Sequence, residues 1–390
     1  MNSGNTIFTQ LISYIPKKHF DKLVSLYKGN HRLRTFSCWD QYLSMAFAQL
    51  TYRESLRDIE ACLRSNSNKL YHMGIRGNIS RTNLSRANET KDYRIYEDLA
   101  LKLISEAKTL YHSDETPYKD LANALYALDS TVIDLSLSLF PWAKHRENKS
   151  AVRVNTLLDI RTSLPAFINI SSGGVHEIKS MDLIEVEPLA VYIMDKGFMD
   201  FERFNRLNSF NAYFIIREKK NQAYTRISSF PLPEDENVLS DQTIKMTGPK
   251  TSIIYPDKLR RVRYYDKQND RYLVFITNNF TLSSSTIASL YKERWKIELF
   301  FKWIKQNLKI KTFYGRSENA IKTQIWIAIS VYVLIIIIKK KLAISENLYT
   351  MLQVFSVNIF SKQLINELFS NTLSQVCTIS SNKQMFLFNF

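Results

Sequence analysis

The hydrophobic period of the chain changes twice. Up to about residue 115, apolar residues recur every three or four positions, as in CWDQYLSMAFAQLTYRESLRDIEACLRS and KDYRIYEDLALKLISEAKTLY, which predicts amphipathic helices. From residue 122 the period shortens. NALYALDSTVID, AVRVNTLLDI and LPAFINISSG read as three strands in a row, with RTSLP as the turn between the second and third. Next, IKSMDLIEVEPL reads as a helix, AVYIMD as a short buried strand, FMDFERFNRLNSF as a helix and AYFIIRE as a strand. Strands followed by alternating helix and strand predict a mixed α/β sheet flanked by helices. Residues 218–280 are β-like, most clearly KLRRVRYYDKQNDRYLVFITN around its polar turn. Helical period returns at SSSTIASLYKERWK, with Ser284 or Ser285 as the expected N-cap, and short helical pieces follow residue 345.

The segment YKERWKIELFFKWIKQNLKI, residues 291–310, has no Gly or Pro and reads as one helix. At about 100° per residue, Tyr291, Arg294, Glu298 and Lys305 fall within roughly 60° of arc. Ile297, Phe300, Phe301 and Ile304 form an apolar face beside that stripe. A row of ion pairs at the rim of a buried helix would explain it. So would a carboxylate flanked by cations at a site that handles an anion.

Composition bears on the partner. The 390 residues carry a formal net charge of +16, which suits a polyanionic partner such as nucleic acid. Residues 1–110 hold 17 Lys and Arg against 10 Asp and Glu. In that region GIRGNISRTNLSRANET presents Arg76, Arg81 and Arg86 with no acid before Glu89, a composition suited to holding DNA through phosphates and hydroxyls. Three cysteines, Cys38, Cys62 and Cys377, lie far apart and argue against a disulfide framework or a zinc site. The N-terminal segment lacks the basic stretch and apolar run of a signal peptide. IWIAISVYVLIIII, residues 325–338, is too short to span a bilayer and is expected to be a core helix rather than a membrane anchor.

Two aspartates close apolar strand-like runs: Asp129 in YALD and Asp195 in VYIMD. Strand ends are where α/β sheets build sites. Asp134, Asp159 and Asp200 are rival acids nearby. With Glu298, the two aspartates form a set of hard oxygen donors suited to Mg²⁺, and two such ions about 4 Å apart can activate an attacking oxygen and stabilise a leaving one on a phosphodiester. No GxSxG or phosphate-loop motif competes with that reading.

These residues resemble a known family, the DDE transposases of the bacterial insertion-sequence group with a Tyr-x2-Arg-x3-Glu-x6-Lys signature (the IS-four family). Tyr291, Arg294, Glu298 and Lys305 match all four residues and all three spacings. ALDSTVIDLSLSLFPWAKHR and YIMDKGFMDFERF resemble the two Asp blocks, with Lys196 where the family usually has Arg. NISRTNLSRANETKDYRIYEDLA resembles the helical leader. The resemblance implies an RNase H-like core in which Asp129, Asp195 and Glu298 bind two Mg²⁺ ions, with Mn²⁺ able to substitute. Tyr291, Arg294, Lys305 and Lys196 would then face DNA. It implies excision of an element at its terminal inverted repeats through hairpin ends, joining to target DNA, a homodimer in a synaptic complex, and work in a bacterial cytoplasm at the nucleoid. The expected domains are a helical DNA-binding leader over 1–118, the catalytic core over 119–217 and 281–345, a β-rich insertion over 218–280 and a helical tail over 346–390. An RNase H-like nuclease unable to join, and a non-catalytic DNA-binding regulator derived from a transposase, are the alternatives.

Overall fold

The computed structural model describes residues 4–31, 35–111, 121, 124–146, 149–220, 222–307 and 313–369. The expected boundary at residues 118/119, Cys377 and the end of the expected tail lie outside them. The chain forms two compact units, residues 1–112 with 304–390, and residues 113–303.

The first unit is helical among its described residues. It contains α1 (Ile7–Ile12), α2 (Lys17–Leu26), α3 (Cys38–Leu50), α4 (Leu56–Ser65), α5 (Ser67–Leu70), α6 (Arg81–Thr90) and α7 (Arg94–Tyr111). The long helix α12 (Glu318–Lys341) and α13 (Leu348–Asn358) complete it. The apolar run expected to be a core helix is the centre of α12. That helix is long and apolar enough to cross a bilayer, yet 94% of its most apolar window is buried inside the protein. A helix apolar all round needs partners all round, and α3, α6, α7 and α13 supply them. Several polar side chains inside this core are matched to one another. The Tyr42 and Ser330 hydroxyls are 3.1 Å apart, Tyr96 Oη donates to Gln41 Oε1 at 2.7 Å, and Gln41 Nε2 donates to Asn88 Oδ1 at 2.7 Å. The sequence grouped residues 281–345 with the catalytic core. In the structure α12 belongs instead with the leader helices, because their amphipathic faces are what bury it.

The second unit is built on a ten-stranded sheet. Strands β1 (Leu125–Leu135), β3 (Lys149–Asp159) and β4 (Leu164–Ser172) form an antiparallel meander, with the short β2 (Lys144–Arg146) beside the start of β3. On the other side of β1, β5 (Val191–Met194) and β6 (Tyr213–Arg217) run parallel to it. Helix α8 (Phe201–Ser209) connects β5 to β6, and Phe204 stacks on Phe214 at 4.3 Å between ring centroids. The order β4-β3-β1-β5-β6 is the mixed sheet of the expected core. The segment IKSMDLIEVEPL, residues 178–189, expected to be a helix, is helical only as far as Leu183, in a 3₁₀ helix over Glu177–Leu183.

The β-rich residues 218–280 do not stand apart from the core sheet. They supply β7 (Tyr224–Ser229), β8 (Val238–Met246), the short helix α9 (Thr251–Ile254), β9 (Leu259–Asp266) and β10 (Arg271–Thr277). β10 pairs antiparallel with β6, so the added strands extend the same sheet. Their interior holds a buried ion pair, with Arg260 Nε and Nη2 donating to Asp241 at 2.9 and 2.6 Å.

The all-round burial of α12 sets an expected outcome. Ile335 is fully buried, and an unpaired charge there has no partner, so Ile335→Asp should cost about 4 kcal/mol or more. Chemical denaturation monitored by circular dichroism measures it. A variant as stable as the parent would show that this face of α12 is not core.

Candidate active site

The two aspartates meet because of strand register. β1 and β5 are parallel neighbours with Leu125 opposite Val191 and Leu128 opposite Met194. One step further along both chains, Asp129 faces Asp195. Neighbouring strands lie about 4.8 Å apart, so two acids in matched register share a patch of one face. Asp195 does follow the end of β5 as expected, but Asp129 lies inside β1, which runs on to Leu135. A Ser-Thr pair after an acid does not stop a strand whose neighbours continue: Ser130 and Thr131 remain paired with β3.

The rival acids sort themselves by their partners. Asp200 is the N-cap of α8, accepting from Arg203 N–H at 3.1 Å, and is ion-paired to the same arginine at 2.9 Å. Asp159 accepts from Arg161 N–H at 2.9 Å in a turn. Asp134 is exposed and five residues along β1 from Asp129, about 16 Å away at strand rise.

The third acid arrives from the helical segment, which is not one continuous helix. α10 (Ser284–Glu293), capped by Ser283 rather than Ser284 or Ser285, ends at Arg294, and α11 (Trp295–Asn307) begins again. Arg294 N–H bonds back three residues to Tyr291 O, and Ile297 N–H bonds three back to Arg294 O. This tight joint points Tyr291, Arg294 and Glu298 at the aspartates. Tyr291 Oη donates to Asp195 Oδ1 at 3.3 Å and its ring packs on Phe275 at 4.7 Å. Arg294 Nη1 donates to Asp129 Oδ2 at 3.1 Å, and its Nη2 is ion-paired to Glu298 Oε1. Beside these residues, Gln268 and Asn269 of the β9–β10 turn and Arg271 at the start of β10 help line a cleft of about 540 Å³ that also includes Tyr291, Arg294, Trp295 and Glu298.

Burial pushes the Asp129 carboxyl up to about 6, opposed by the Ser130 N–H and by Arg294, and reinforced by the charges of Glu298 and Asp195. Burial and the Asp195 charge push the Tyr291 hydroxyl up to about 12, so it is a donor at neutral pH. Among the described residues, no three of His, Cys, Asp and Glu already enclose an ion. Two of the three acids share Arg294 instead. Chemically the set fits a hard divalent cation: three carboxylates brought together by two neighbouring strands and one helix, two of them already held around a cationic group.

Of the other expected residues, Lys196 is exposed immediately after Asp195, in a short 3₁₀ turn. Lys305 lies in the last turn of α11, half-buried, and the boundary between the two units falls within that helix at Ile304. In the helical unit, Arg81 and Arg86 are on the exposed face of α6. Arg76 is not equivalent to them: its guanidinium lies 3.7 Å from the centre of the Tyr71 ring and donates to Tyr71 O at 2.6 Å.

Residues missed by sequence reasoning support the site from the opposite face of β1, where Ser130 points. Ser130 Oγ donates to Glu177 Oε2 at 2.7 Å, and Arg153 Nη1 donates to the same oxygen at 3.2 Å. A Cβ on Gly197 would stand 2.6 Å from Glu177 Oε1. The only sequence signal was that glycine, two residues after Asp195.

A family model described as "Transposase DDE domain" matches residues 122–334, more than half of the chain. The chain belongs to the DDE transposase family. Domains of this DDE transposase family act on DNA and depend on divalent cations. A second model, for a domain of unknown function (DUF4372), matches residues 3–76. The chain is 30% identical over 215 residues to a Sinorhizobium fredii protein named as the transposase y4zB, covering 54% of this chain and 60% of that one. It is 29% identical over 217 residues to a Geobacillus stearothermophilus protein named as a transposase for insertion sequence element IS5377, covering 54% and 55%. A Synechocystis protein named as a transposase for IS4SA is 24% identical over 322 residues, covering 81% and 87%. The chain thus spans a little over half the length of the first two relatives.

The packing behind Asp129 and Asp195 makes a double-mutant cycle informative. Gly197→Ala should displace the Glu177 carboxylate and destabilise the protein. In a Glu177→Ala background the same change should cost less, with a coupling of about 1 kcal/mol or more by thermal or chemical denaturation. Additive costs would mean that the glycine is needed for some other reason.

Proposed function

We propose that this chain is the transposase of an insertion sequence, cutting the ends of its own element and joining them to target DNA. The observation that carries this reading is the register match of Asp129 with Asp195, completed by Glu298 through Arg294. In this reading Asp129, Asp195 and Glu298 hold divalent cations, two Mg²⁺ ions with Mn²⁺ able to replace them. When bound there, the metal supplies Lewis-acid activation of an attacking oxygen and neutralises charge developing on the phosphodiester.

The protein's own residues do the positioning. Tyr291 fixes the Asp195 carboxylate with its hydroxyl and keeps one side of the site dry with its ring. Lys196 and Arg294 supply countercharge for phosphates crowded at a bent DNA end, where hairpin formation would bring two strands close together, and Lys305 is a further DNA-facing cation. In the leader, Arg81 and Arg86 contact the terminal inverted repeat, while Arg76 shapes the loop before α6. A homodimer in a synaptic complex, working in the cytoplasm at the nucleoid, would let one site serve nicking, hairpin formation and joining in turn.

Two sets of variants in the full-length chain separate chemistry from recognition. Alanine at Asp129, Asp195 or Glu298 should cut cleavage of element-end DNA by roughly a thousandfold or more, since each about 1.36 kcal/mol lost is tenfold in rate. Metal-free DNA binding should survive in a gel shift, and Asp134→Ala and Asp200→Ala should retain much of the cutting. Alanine at Arg81 and Arg86 together should do the reverse, weakening binding and flattening the salt dependence by about 2 in log–log slope. Normal cutting by all three acid variants would sink the proposed mechanism, and an unchanged salt slope would remove α6 from the DNA interface.

A further inference from the structure

Arg294 occupies an unusual place for a residue expected to face DNA. Its side chain is only 16% exposed, and its two terminal nitrogens are both spent on acids of the site: Nη1 on Asp129 and Nη2 on Glu298. Its Nε is buried and has no hydrogen-bond partner among the described residues. A buried unsatisfied donor is costly, so the inward position is held by the two carboxylates and not by a complete set of bonds. Of those two, Asp129 is part-buried in the sheet at 20% exposure, whereas Glu298 is 56% exposed on its helix. The guanidinium therefore has a part-buried partner, an exposed partner and one unsatisfied nitrogen, on a residue that sits at the joint between two helices.

The geometry points to Arg294 as a displaceable counter-cation: without metal its guanidinium bridges Asp129 and Glu298, and a divalent cation must expel it to claim those carboxylates. This rests on the reading of the three acids as a metal site. The displacement converts one residue from a guard of the carboxylates into a freed cation at the cleft lined by Gln268, Asn269 and Trp295. Metal loading and the release of a phosphate-binding arginine become one event. Apparent metal affinity is then reduced by the fraction of molecules in which Arg294 is bridged: if that state holds about nine-tenths of the population, removing it tightens binding about tenfold.

The test uses the full-length protein without DNA. Mn²⁺ binding is measured by electron paramagnetic resonance for the parent, Arg294→Met, Arg294→Lys, and Arg294→Met combined with Glu298→Gln. The expected order is tightest for Arg294→Met, by about tenfold or more over the parent. Arg294→Lys should lie between them, because a single ammonium cannot bridge both acids in the same way. The combined variant should bind weakly. Equal affinities for the parent and Arg294→Met, with loss in the combined variant, would overturn the displacement and leave the metal site standing. Binding unaffected by Glu298→Gln would overturn both. A measurement on the parent alone covers the case in which the variants fail to fold. Phenylglyoxal labelling of Arg294, read by peptide mass spectrometry, should be slow without metal and several-fold faster with saturating Mg²⁺. Labelling that is unchanged or slowed by Mg²⁺ would overturn the proposal.

Discussion

Three carboxylates gathered in a part-buried site repel one another, and the site depends on a positive charge set among them. In this protein that charge is Arg294, shared between Asp129 on a strand and Glu298 on a helix. Because the two acids come from elements far apart in sequence, the shared arginine also ties α11 to β1. Burial in a low-dielectric setting disfavours an ionised carboxyl and like charges add to that; the Asp129 carboxyl is raised by burial first, with Glu298 and Asp195 reinforcing it and Arg294 opposing it. Arg294 supplies a positive charge to two of the three acids at that site.

The rest of the catalytic unit can be read as the means of holding this arrangement. Parallel pairing of β1 with β5 fixes the spacing of the aspartates to the spacing of strands. Continued pairing of β1 with β3 beyond Asp129 keeps the acid on a rigid strand rather than at a frayed end. On the far face, Glu177 fills the space left by Gly197 and is held by Ser130 and Arg153, so the turn after Asp195 is packed from behind. The tight joint at Arg294 orients the glutamate helix, and the strands added beyond β6 place the β9–β10 turn over the same cleft.

Much of this was legible in the sequence, and the exceptions have physical causes. Strand period gave β1, β3, β4, β5 and β6, and the signature spacing singled out Tyr291, Arg294 and Glu298. The helical arc was right in bringing them together, although two three-residue hydrogen bonds at Arg294 tighten the backbone where α10 gives way to α11. Local pattern carries no information about which strand pairs with which, so the register that sets Asp129 against Asp195 was invisible, as was the joining of the β-rich segment to the core sheet. For the same reason α12 could be recognised as buried but not assigned to the leader helices that bury it. Glu177 escaped because its role is defined by an absent Cβ on a residue twenty positions away.

The central claim is that Asp129, Asp195 and Glu298 together bind a divalent cation. The most direct measurement is hydroxyl-radical cleavage of the full-length protein directed by Fe²⁺ bound in place of Mg²⁺, with the fragments mapped by mass spectrometry. Backbone cuts clustered near these three residues, and suppressed by excess Mg²⁺, are the predicted result. Cuts confined to other regions, or a pattern that Mg²⁺ does not alter, would contradict a metal site built from these acids.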